Sequence, residues 1–326
     1  MPARRVAEPS RGQAGPRLTP RSSRRQWYAI AAALLVIGAA AIVWSNSVSR
    51  RADRITFVAE QNGNWDLWWM GADGRGLVRL TRTPLDERAP AISPDRTRIA
   101  YSTSDGMLWI LNTGDRKVTR VPLEPGRYSN PSWSPDGRQI VFTAYTMSGD
   151  SEDATLWLYD VAGGKPRELL KQDGAQDYAK FSPDGQTVMY STSGAITVFG
   201  FGYLVVQQLW SLSLVTGRAQ ELLLARAKDT QPAWSPDGRA IVFVSDREGA
   251  AQLWRVDASG DGLRRLTSGP LASTHPAWAP SGSEIVYVAS DGRTSTLAIV
   301  AGDGGGSRPL EIRDDQVKNV RDPHWR

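Results

Sequence analysis

The chain has 326 residues, 40% of them hydrophobic, with a formal net charge of +5, no cysteine and two histidines. The absence of cysteine excludes disulfides and thiolate chemistry, and two histidines exclude a His-rich zinc site. The charge is concentrated at one end: residues 1–25 carry seven Arg against one Glu, so the remainder sits at about −1 and is no nucleic-acid binder on charge grounds.

In chain order, residues 1–25 are rich in Pro, Arg, Ser and Gly and read as a disordered cytoplasmic tail. Trp27 to Trp44 is an unbroken apolar run within a predicted transmembrane helix over 26–45; at 1.5 Å per residue it spans about 27 Å, enough for the hydrocarbon core. Trp27, Tyr28 and Trp44 mark its two interfaces, and the excess of Arg before it predicts the N-terminus inside and the rest outside the cytoplasmic membrane of a bacterium. The alternative is a cleaved signal peptide, with Ser45, Asn46 and Ser47 at the cleavage site. A short linker, 46–54, follows.

Beyond residue 55 one phrase recurs: NPSWSPDG ending at Gly137, YAKFSPDG at Gly185 and QPAWSPDG at Gly238, with divergent copies ending at Arg96 and Gly282. Ser-Pro-Asp-Gly has the side chains of a type I turn, with Pro presetting φ at its second position. Each copy is a tight corner followed by a short apolar strand such as that at Ile140 or Ile241. A Leu-Trp pair then marks a third strand, at Leu67, Leu108, Leu156, Leu209 and Leu253, and a fourth ends near Leu-Thr, as at Leu80-Thr81 and Leu266-Thr267. The unit is four strands, and a period near 45 residues makes the fold an array of them.

The position before Ser-Pro is held by Ile92, Trp133, Phe181, Trp234 and Trp278, and recurs at Trp325. The first unit, from Ile55 to Thr81, lacks its first strand, which the segment from Val320 to Trp325 supplies. Such a split unit closes a ring and leaves no open sheet edge. The expectation is an all-β, six-bladed propeller over residues 55–326, closed by the C-terminal strand and preceded by one N-terminal transmembrane helix. Most of the 13 Trp recur in register, which predicts packing between blades.

These corners, the Leu-Trp strand and the Leu-Thr end resemble the WD40-like (PD40) repeats of TolB-type six-bladed β-propellers, also found in the propeller domains of prolyl oligopeptidase relatives. TolB carries a further N-terminal α/β domain; here about ten residues separate the apolar run from the first strand, which leaves it no room between them. The sequence has no G-x-S-x-G elbow, so the peptidase resemblance brings no catalytic triad. The segments from Asp257 and Gly302 fall in blade turns; the first has Ser268 where a calcium loop needs Glu, and the second is a weak phosphate-loop match.

Two candidate surfaces follow. In a propeller the first strand of each blade lines a central channel, and one residue before its Pro lie Ala89, Asn130, Tyr178, Gln231, His275 and Asp322. Asn130, Tyr178, Gln231, His275 and Asp322 are the candidate ligand-binding residues at the channel mouth, with His275 and Asp322 on adjacent blades; the alternative is a water-filled channel whose polar groups are solvated. The second surface lies on the face opposite the Ser-Pro corners, where two long loops are expected, an acidic one from Ala144 and an apolar one from Thr192. Phe199, Phe201, Tyr203 and Leu204 in the second are either a partner surface or an extended hairpin on its own blade. The functional expectation is a membrane-tethered, non-catalytic module binding a protein or envelope ligand, without cofactor or metal. The alternatives are an enzyme acting on glycan or peptide with Asp322 and His275 as acid and base, and a sensor signalling through the Arg-rich tail.

Overall fold

The computed structural model describes residues 53–148, 151–170, 172–198, 202–223 and 227–326. The expected tail, membrane helix and most of the linker lie outside the described residues, among which no helix is long and apolar enough to cross a membrane.

The described residues form six four-stranded antiparallel sheets and no helix. The innermost strands are Val320–Trp325 (blade 1), Glu87–Ile92 (blade 2), Arg127–Trp133 (blade 3), Ala175–Phe181 (blade 4), Thr230–Trp234 (blade 5) and Ala272–Trp278 (blade 6). Each touches the next in that order and the sixth touches the first, so the ring is closed. Closure is the predicted one: Ile55 pairs with Trp325, and Arg54 and Arg326 exchange backbone hydrogen bonds at 2.9 and 3.0 Å.

The corners show why the repeated phrase folds as it does. In blade 3 the Ser134 hydroxyl donates to Asp136 at 2.6 Å and accepts the Gln139 amide at 2.9 Å, while the Gly137 amide closes the turn on the Ser134 carbonyl. Gly137 sits at φ +70°, the left-handed region glycine tolerates, and a Cβ there would stand 3.6 Å from Pro94 of blade 2. Gly185 against Pro135 and Gly238 against Pro183 repeat the contact, so the corners tile around one face.

The Leu-Thr ends close the blades from outside. Leu80 donates its amide to the Leu67 carbonyl at 2.7 Å, and the Thr81 hydroxyl accepts the Leu67 amide at 2.9 Å; Leu266 and Thr267 repeat this on Leu253. A threonine side chain thus satisfies a buried ladder donor where the two-residue outer strand has ended. The leucine of each Leu-Trp pair is fully buried, and one apolar cluster fills each of the six interfaces between neighbouring blades.

One expectation is corrected. The segment from Ala144 is no loop: the second strand of blade 3 runs over Gln139–Ser148 and the third over Ser151–Asp160, paired throughout from Gln139 with Asp160 to Ser148 with Ser151. Its Ser, Gly and Asp content reads as a turn, yet the ladder carries the segment outward. The corresponding strands of blade 4, Thr187–Val198 and Gly202–Ser213, form a longer hairpin, paired from Thr187 with Ser213 to Val198 with Gly202.

Candidate functional site

Each innermost strand carries a β-bulge, and all six bulges bear the same residue position. Ala89, Asn130, Tyr178, Gln231, His275 and Asp322 have φ between +48° and +56°. A left-handed L-residue costs about 1 kcal/mol, and a following proline disfavours the helical regions further. The side chains show what the bulges accomplish: Asp322 Oδ2 accepts the Ala89 amide at 3.0 Å and Gln231 Oε1 accepts the His275 amide at 2.7 Å, each reaching into the next blade.

Gln231, His275 and Asp322 form a hydrogen-bonded run across three blades. His275 Nε2 lies 3.1 Å from Asp322 Oδ1, and its Nδ1 lies 3.1 Å from the Thr274 hydroxyl. The Gln231 amide nitrogen also lies 3.2 Å from Nε2, so with the proton on Nε2 the ring donates to Asp322 and Nδ1 accepts from Thr274, whereas with the proton on Nδ1 the ring donates to Thr274 and Nε2 accepts from Gln231. Burial pulls the His275 pKa below its usual value against the pull of Asp322, so the ring is neutral at pH 7. Tyr178 faces Asp322 from the far side of the ring, its hydroxyl pushed up to about 12 by burial and then by Asp177. Asn130 is tied elsewhere: it donates to Asp177 Oδ1 at 2.7 Å, where the Thr143 hydroxyl and the Tyr178 amide also donate.

A cavity of about 610 Å³ runs from these six residues to the corner prolines Pro94, Pro135, Pro183, Pro236 and Pro280. Its walls are the prolines and the ring of Trp133, Phe181, Trp234, Trp278 and Trp325; Arg96 and Arg326 stand at its corner end. The cavity therefore continues from the bulged ring toward the corner face, away from the hairpins. Two positions past each bulge residue, the blades carry Ala91, Ser132, Lys180, Ala233, Ala277 and His324. Lys180 is a cavity residue the sequence reading passed over. Burial lowers its pKa while Asp177 and Asp322 raise it, and its ammonium has no hydrogen-bond or ion-pair partner among the described residues.

Phe199 and Phe201 lie outside the described residues. Tyr203 and Leu204 stand on backbone paired with Thr197 and Ile196 in the blade 4 hairpin. Among the described residues no group of His, Asp and Glu is arranged to hold a metal ion.

Known proteins share this architecture. The family model described as the TolB beta propeller domain matches residues 36–196 and 150–311. The chain is 33% identical over 101 residues to a protein TolB homolog of Chlorobium luteolum and 32% over 102 residues to one of Chlorobaculum tepidum. These matches span 30% of this chain and 22% and 23% of the relatives, so less than a quarter of their length is matched. Among solved structures, TolB from Acinetobacter baumannii superposes with a TM-score of 0.71 at 21% identity over 85% of this chain and 67% of that one. An oligogalacturonate lyase in complex with manganese superposes at 0.57 and 18% identity over 80% and 74%. At those identities the superpositions speak to fold alone, whereas the family model covers most of the six blades: the chain belongs to the TolB-type PD40 β-propeller family.

Proposed function

We propose that this chain is a membrane-tethered, extracytoplasmic propeller that binds a protein or cell-envelope ligand without catalysing a reaction. The observation that carries the reading is the pair of long hairpins on neighbouring blades 3 and 4, with strands of 10 and 12 residues where the second strands of blades 2 and 5 have 6. They extend the sheets on the face opposite the corners, and loops or edges grown on a rigid scaffold are where propellers differ in what they bind. A match to the Tol-Pal system protein TolB of Sodalis glossinidius, 39% identical over 59 residues, supports an envelope setting. The apolar run at 27–44 supports the tether, and the bulge residues Asn130, Tyr178, Gln231, His275 and Asp322 are the channel's own candidate ligand contacts.

Replacing Tyr203 and Leu204 by Ser in the full chain tests the surface. Unchanged folding with reduced partner recovery in crosslinked pull-downs is the expected result, and unchanged recovery counts against it.

The 3.1 Å contact of His275 with Asp322 favours a second reading, an enzyme using the pair as acid and base. Both groups are already committed to bracing the ring, which favours the binding module. Loss of activity on cell-wall glycans or peptides in Asp322→Asn at unchanged stability is the result that would restore the enzyme.

A further inference from the structure

Six bulges repeat around the channel, but the layer beyond them is uneven. Four blades place Ala or Ser there, blade 4 places Lys180 and blade 1 places His324. In a closed ring of six, blades 1 and 4 are diametrically opposed, so the two basic side chains face each other across the cavity. His324 Nδ1 accepts the Ile92 amide at 3.4 Å, which puts its proton on Nε2, and that Nε2–H has no partner among the described residues. Burial and then the charge of Lys180 lower the His324 pKa to about 3, so it faces the channel as a neutral donor.

Lys180 is the charged group of this layer, and the acids near it are engaged elsewhere. Asp322, one layer deeper, is the acidic residue of the cavity wall, and its oxygens are taken by Ala89 and His275. Asp177 lies behind the wall and accepts from Asn130, Thr143, Tyr145 and the Tyr178 amide. Arg96 and Arg326 stand at the open end, Arg96 ion-paired with Asp53 at 3.3 Å and Arg326 near Asp95, so the mouth is not itself strongly positive. A strand lysine facing a channel with no carboxylate in direct contact is costly, since Asp177 and Asp322 act on it only from a distance, and a bound anion reduces that cost.

We propose that the cavity binds a carboxylate carried on an apolar body, seated between the Lys180 ammonium and the His324 Nε2–H, with the body against the proline and tryptophan walls. Such a carboxylate comes from a small organic acid or from the free C-terminus of a peptide, and the cavity's size suits either end group. The inference rests on the channel being a binding site and is independent of the hairpin surface on the other face.

The test titrates the full chain with 4-phenylbutyrate and with the tripeptide acetyl-Ala-Ala-Phe, each against its amide, by calorimetry. Binding of at least one acid with no binding of its amide is expected, weakened about tenfold or more in Lys180→Met and kept within about threefold in Lys180→Arg. The acid that binds identifies the source. Equal binding of acid and amide leaves the channel a binding site but overturns the charge assignment, as does equal binding by wild type and Lys180→Met. No binding of any probe overturns the site, whereas partner recovery by the hairpins is read separately in the pull-down. Should Lys180→Met fail to fold, reductive 13C-methylation of the wild-type lysines serves: a methyl-lysine signal that moves with acid and not with amide supports the proposal, and no moving signal overturns it.

Discussion

The Trp133 indole donates its Nε1 hydrogen to the carbonyl of Ala91, one blade back, at 2.9 Å. Trp278 does the same to Ala233 at 3.2 Å, so at these two blades the aromatic residue before the corner is both wedge and latch, whereas the indole N–H groups of Trp234 and Trp325 are buried without a partner. Blade 4 carries Phe181 there and keeps the wedge without the latch. Trp133→Phe should therefore lower stability by about 1 kcal/mol, the worth of one hydrogen bond, and Trp133→Ala by about 3–5 kcal/mol. Urea unfolding checks this: the midpoint should fall with the slope unchanged.

The bulged ring makes a sharper demand on Asp322. Alanine there removes the acceptor for the Ala89 amide and, with the ring proton on Nε2, for His275, leaving one or two buried donors unpaired at about 1–3 kcal/mol each. Asparagine keeps one acceptor oxygen, so Asp322→Asn should lose about half of what Asp322→Ala loses by the same denaturation measurement.

Glu87, fully buried at the start of the blade 2 inner strand, gives the fold a pH dependence. Burial raises its pKa from 4.5 to about 7, against the hydrogen bond from Thr83 and helped by Asp66, and its Oε2 is buried without a partner. The folded state therefore binds a proton that the unfolded chain releases near 4.5. Stability from this group is fully present below that value and declines as pH rises to about 7, by on the order of 3 kcal/mol. In Glu87→Gln that decline should disappear from a series of unfolding curves taken across the interval.

Arg96 occupies the glycine position of its corner at φ +62°, where Gly137 and Gly185 sit in the other copies. Its ion pair with Asp53, 3.3 Å long and partly exposed, is worth little in water. Arg96→Gly should raise stability by up to about 1 kcal/mol, read as a higher thermal midpoint.

The corners, the blade count and the closure at Trp325 are legible because each is set by local chemistry repeated in register: proline and glycine at a turn, leucine in a buried ladder. The uneven features are not. Lys180 reads as an ordinary polar strand residue, since nothing local to Tyr178-Ala179-Lys180 says that its strand faces a channel. The left-handed ring is equally silent, because Ala89, Tyr178 and Gln231 are poor left-handed residues and only the bulge, a pairing between strands, places them there. The hairpin beyond Ala144 was hidden by turn-like composition that strand pairing overrode.

The central claim is that the hairpin face meets a partner, and photocrosslinking tests it most directly. A benzoyl-phenylalanine placed at Tyr203 in the full chain is compared with one at Val215, which is exposed in a turn on the corner face beside Gln186. The account predicts a discrete adduct from position 203 and none from 215; no adduct at 203, or the same adduct from both positions, contradicts it.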